Sequence, residues 1–145
     1  MRSRAPIALS AVAAVALLAG CGGATNDYRG KVSKVENTYK PQATALLSKF
    51  QSDAADPAAL AADLRSFASL ATRFGDDVEA ITPPKGREQL AAALVTAERH
   101  IATAAGDAAT AASKRDAKAL QASLARLEAA DTEETNAVNA LNAAK

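Results

Sequence analysis

Two carboxylates, Asp131 and Glu134, stand where a stripe of large apolar residues ought to continue. Leu120, Leu124, Leu127, Asp131, Glu134, Val138 and Leu141 follow one another at steps of four and three, which on a helix puts all seven on one face. A carboxylate turned toward an apolar interior is costly unless it pairs with another group or lines a cleft. In an antiparallel bundle, Tyr39, Gln42, Arg73 and His100 stand at the same level. Asp131, Glu134, Tyr39, Arg73 and His100 therefore form the candidate polar site, serving as a structural cross-helix pairing, a ligand site or a partner contact. Rotation of the last helix, exposing both carboxylates, is the alternative. Glu133, Asn136, Asn139 and Asn142 extend a polar face on the same segment, which is expected to meet solvent.

Other chemistry finds little to work with. The 145 residues include one His, one Cys, one Met and no Trp, and aromatics make up 3%; few side chains are left for cofactor pockets or metal sites. A di-iron bundle needs Glu-x-x-His on two helices. Here Ala97-Glu98-Arg99-His100 sets Glu98 beside His100 and is expected to turn it elsewhere. Haem ligation, a glycine-rich phosphate loop, a Gly-x-Ser-x-Gly elbow and a Cys/His nucleophile pair have no counterpart in the sequence. Neither a cofactor nor a metal is expected, and the protein is expected not to be an enzyme. Lys and Arg number 17 against 16 Asp and Glu, a net charge of +1, so no polycationic surface suggests nucleic acid.

The elements that must position the candidate site follow from spacing and punctuation. Tyr28, Val32, Val35, Tyr39, Gln42, Leu46 and Phe50 form a first stripe with one polar intruder, and Leu60, Leu64, Phe67, Ala71, Phe74, Val78 and Ile81 form an uninterrupted second. The third, Leu90, Leu94, Ala97, Ile101, Ala104, Ala108 and Ala111, has no large apolar residue between Ile101 and Leu120. Asp56-Pro57 reads as an N-cap followed by a proline at the first helical position. Thr82-Pro83-Pro84 closes the second segment and opens the third, while Ser113 to Asp116 supplies either a capping box or an Asp116 N-cap. Helices are expected over about 28–53, 57–81, 84–112 and 116–143. The fold expected is all-α, an antiparallel up-down-up-down four-helix bundle. The alanine-rich stretch 102–119 is expected either to approach large neighbours closely or to pack loosely.

The amino-terminal end is of a different kind. Arg2 and Arg4 precede an uncharged run from Ile7 to Ala19, the pattern of an export signal, and the run is shorter than the roughly 20 residues that span a bilayer core. It ends in Leu18-Ala19-Gly20-Cys21, which resembles the lipobox of bacterial lipoproteins. The resemblance covers residues 1–21 and implies cleavage between Gly20 and Cys21, with a diacylglycerol on the Cys21 sulfur and further acylation such as palmitate. It implies export and anchoring to a bacterial membrane on its extracytoplasmic side. Acyl chains, at about 0.8 kcal/mol per buried CH2, would hold the protein there. Residues 21–27 are expected to form the lipidated cysteine and a flexible tether, and 28–145 the bundle. The order of the segments also resembles small alanine-rich helical lipoproteins of bacteria, a likeness of pattern that implies no particular activity.

The functional expectation is a lipid-anchored, non-enzymatic interaction or scaffolding module of the cell envelope, whose partners are the membrane and an envelope protein. The alternative is a carrier or sensor holding a small apolar ligand between its helices. A continuous cavity lined by Phe50, Leu64, Phe67, Ile101 and Leu124 would favour the carrier.

Overall fold

The computed structural model describes residues 23–144. They form a helical bundle of α1 (Gly23–Asp53), α2 (Pro57–Glu79), α3 (Glu88–Ser113) and α4 (Ala117–Ala143), with no strand among the described residues. The segment expected to be an export signal, with the lipobox-like Leu18-Ala19-Gly20-Cys21, lies outside them. No described helix is long and apolar enough to cross a membrane.

The helix starts follow side-chain chemistry. The Asp56 carboxylate accepts hydrogen bonds from the backbone N–H groups of Ala58 and Ala59, at 2.9 and 3.3 Å, ahead of Pro57. Asp116 accepts from the Ala119 N–H at 2.9 Å and so is the cap of α4. Ser113 is not part of a capping box: it ends α3, and its hydroxyl donates back to the Thr110 carbonyl at 2.9 Å. Between the two helices the Asp116 N–H bonds to the Ala111 carbonyl and the Arg115 N–H to the Ala112 carbonyl. This is the Schellman arrangement, and it places Arg115 in the left-handed region at φ 55°.

Two boundaries differ from the sequence expectation. Helix α1 begins at Gly23, so residues 23–27 are helical and not a flexible tether. Helix α3 begins at Glu88, not at 84. Neither Pro83 nor Pro84 has an N–H to donate, and the Arg87 N–H closes a turn on the Pro84 carbonyl at 3.0 Å with Gly86 at φ 82°. The chain therefore runs as a loop through 82–87 before the third helix can start.

Apolar side chains gather in two clusters. One joins Phe50 of α1, Leu64 and Phe67 of α2, Ala104, Ala105, Ala108, Ala109 and Ala112 of α3, and Leu127 of α4. The other joins Tyr28 and Val32, Val78, Leu94 and Val95, and Val138 and Leu141. Helix α3 is central, burying twelve residues where α1 buries five. Its alanine-rich half is not loose: Ala105 and Ala108 are wholly inaccessible to solvent. They sit in the cluster that Leu46, Leu60, Leu120 and Leu124 flank, small residues matched by large ones. Helix α1 packs chiefly on α2. Near its start a buried Arg29 donates to the carbonyls of Leu141, Asn142 and Ala144, with Nη2 at 2.8 Å from the last two. The guanidinium thus meets the partial negative charge at the end of α4.

Candidate functional site

The first stripe shifts by one residue after Tyr39: Gln42 is exposed, and Ala43 takes the inward place. The small side chain leaves room where a large one would have closed the core. At that level the four helices enclose a cavity of about 80 Å³, partly open to solvent and predominantly apolar in its walls. Ala43 and Tyr39 line it from α1. Helix α2 supplies Phe67, Leu70, Ala71 and Phe74, α3 supplies Ile101, and α4 supplies Leu127.

Three acids share this cavity, Glu98 of α3 with Asp131 and Glu134 of α4, and Glu36 and Lys40 of α1 also border it. Glu98 is only 5% exposed and is hydrogen-bonded to Glu134. Burial, then the charge of Glu134, their shared hydrogen bond and the charge of Asp131 push the Glu98 carboxyl up to about 9. Burial foremost, then Asp131, raises Glu134 to about 7, against the opposing effect of its bond to Glu98. Asp131 is raised by burial and by Glu128. At neutral pH Glu98 is thus protonated, and where Glu134 is ionised Glu98 donates its O–H to the Glu134 carboxylate. The pair is a proton-sharing dyad, since two neighbouring buried carboxylates resist simultaneous ionisation.

Of the residues expected at the site, Asp131, Glu134 and Tyr39 line the cavity. The Tyr39 hydroxyl donates to Asp77 Oδ2 at 2.6 Å, its ring meets Phe74 edge-on at 5.9 Å, and the Arg73 guanidinium lies 5.8 Å from its centroid. Arg73 is exposed and is not among the residues lining the cavity, which it neighbours only through the Tyr39 ring. His100 does not belong to the site: it is exposed, and its Nδ1 lies 2.7 Å from Glu133 Oε2 on the outside of the bundle. Asn142, expected to face solvent, has its Oδ1 buried.

Glu98, expected to face elsewhere, is the most deeply buried acid of the site. Its position was legible in one respect: it lies four residues after Leu94 and three before Ile101, steps that keep it near the core face. Gly75 of α2 stands across from it, and a methyl group there would lie 3.3 Å from the Glu98 Cβ, so the glycine gives α3 space to bring the acid inward. Among the described residues no cluster of three or more His, Cys, Asp or Glu side chains could hold a metal ion.

Together these features define a helical-bundle domain whose core carries a half-open apolar cleft with a carboxyl dyad in its wall. Compared with known proteins, the chain matches no family model, no curated protein and no solved structure.

Proposed function

We propose that this is a lipid-anchored, non-enzymatic component of the bacterial cell envelope that holds a small, largely apolar ligand in the cleft, as a carrier or sensor. The cleft carries the reading, because it opens where the core of a purely structural bundle would be filled. Two of the five residues named for a carrier cavity, Phe67 and Ile101, line it, while Phe50 and Leu64 belong to the packed cluster and Leu124 packs against it. A buried acid pair is also a poor choice for stability alone, since apolar residues of similar volume often serve better. Perturbed acids in a cleft are a mark of functional sites. The scaffolding reading, in which the bundle only offers a surface, leaves both features without a role.

The helices are read as antiparallel, up-down-up-down. In support, Tyr39 of α1 meets Asp77 while Phe50 meets Phe67, and His100 of α3 meets Glu133 while Asp107 meets Arg126. In each pair of helices the number rises on one as it falls on the other. The lipobox resemblance puts the proposed anchor at Cys21, two residues before α1, so the cleft would stand about 20–30 Å along α1 from it.

Two experiments test the proposal. Metabolic labelling with a fatty acid should mark the wild-type chain and not Cys21→Ala; equal labelling of both contradicts the anchor. In thermal denaturation of the full-length protein in an uncharged detergent, butan-1-ol or butylammonium at millimolar concentration should raise the melting temperature. Ala43→Leu, which fills the cleft, should abolish the rise. No rise with either solute, or the same rise in the variant, contradicts ligand binding in the cleft.

A further inference from the structure

Resting on the ligand-binding reading, we propose that the cleft is selective for an organic cation, an ammonium group on a short apolar body, with Glu134 as the counter-charge and Glu98 as a neutral hydrogen-bonding neighbour. The cavity sets the body. Its volume of about 80 Å³ is about half that of the roughly 150 Å³ apolar cavity known to admit benzene, which suits an alkyl group of about four carbons. A larger body could extend through the open side.

The groups around the cleft set the charge. From α4 come Asp131 and Glu134, from α3 Glu98, and from α1 Glu36 and Lys40, while the α2 side of the cleft is apolar. With Glu98 neutral, the carboxyl groups of Glu36, Asp131 and Glu134 stand against Lys40 in the wall and Arg73 beside the Tyr39 ring, a balance that favours a cation over an anion. An anionic apolar ligand such as a fatty carboxylate would set its charge against Asp131 and Glu134 in a medium that screens little. A neutral ligand would leave the Glu134 carboxylate with only the Glu98 hydrogen bond to offset its desolvation. An ammonium group compensates it, and its three donors can serve both Glu134 and a neighbouring acid oxygen.

Binding is linked to one proton. Where Glu134 is protonated, entry of the cation breaks its O–H bond and releases the proton to solvent, leaving a carboxylate beside the bound ammonium; no oxidant or reductant takes part. Because Glu134 titrates at about 7, affinity should rise about tenfold between pH 6 and pH 8 by linkage.

The test is isothermal titration of the full-length protein, in micelles of an uncharged detergent, with butylammonium, butan-1-ol and butyrate. The expected result is butylammonium binding at least tenfold more tightly than the other two, with affinity rising with pH as stated. Glu134→Gln should weaken it at least tenfold. Glu133→Gln, one residue away but outside the cleft, should bind as wild type, with circular dichroism verifying that both variants fold. If butan-1-ol binds as tightly as butylammonium, or Glu134→Gln binds butylammonium as wild type does, the cation proposal is overturned while the ligand-binding reading stands. If none of the three solutes binds, both are overturned.

Discussion

At the scale of single residues, the carboxyl dyad couples stability to pH. Glu98 has an ordinary value of 4.5 and is raised to about 9 in the fold, so between those values the native state holds a proton that the unfolded chain has released. Stability therefore falls as pH rises through that window: the contribution is present in full below about pH 4.5 and is lost by about pH 9. Glu98→Gln keeps a hydrogen-bond donor and removes the titration. Chemical denaturation at pH 5, 7 and 9 should show the wild type losing stability with pH along a visibly steeper line than Glu98→Gln, the variant being more stable by at least about 1 kcal/mol at pH 9. Arg29 is the opposite kind of buried charge, one satisfied by three carbonyls of the α4 terminus. Arg29→Met should cost roughly 2–3 kcal/mol, the scale of hydrogen bonds to a charged group, read as a lower denaturation midpoint. The sequence displayed Asp131 and Glu134 through the stripe they interrupt. It hid Glu98, because an acid beside a core position on a helix is ordinarily solvated. It also hid Arg29, whose role depends on carbonyls 112–115 residues away.

At the scale of elements, the helices were largely legible, since heptad-like spacing and the acidic caps act locally. Asp56-Pro57 and Asp116 need only their own following turns to work. The start of α3 was less so, because the loop from Thr82 to Arg87 depends on a glycine reversing the chain after two prolines. The same local physics identifies weak points. Gly106 lies inside α3 with open space around an added Cβ, so Gly106→Ala should stabilise by about 0.5–1 kcal/mol. Arg115 occupies the left-handed position of the Schellman turn that glycine ordinarily takes, and Arg115→Gly should gain about 0.5–1 kcal/mol by removing Cβ strain. In α3, by contrast, Ala108 has no exposed surface, and Ala108→Leu should cost about 1–3 kcal/mol by overpacking. Thermal melts of the three variants would show two rises and one fall.

At the scale of the whole molecule, the bundle combines a tightly closed end with an open middle. Alanines bring the helices together around Ala104 to Ala112, while a few residues away Ala43, facing Phe67 and Leu127, leaves the cleft. Small side chains produce both outcomes, and which one results depends on whether large neighbours reach across. That is why the sequence could state the packing of the alanine-rich stretch only as alternatives, and why, of the five residues that a carrier cavity would have joined, only Phe67 and Ile101 line the cleft. The proposed function requires that the cleft admit a ligand. The most direct measurement is a set of nuclear Overhauser effects between butylammonium and the methyl groups of the full-length protein in deuterated detergent micelles. Contacts are expected from the butyl chain to the Ile101, Leu127 and Ala71 methyls, lost in Ala43→Leu. Contacts confined to methyls outside the cleft, or none at saturating butylammonium, would contradict the proposed function.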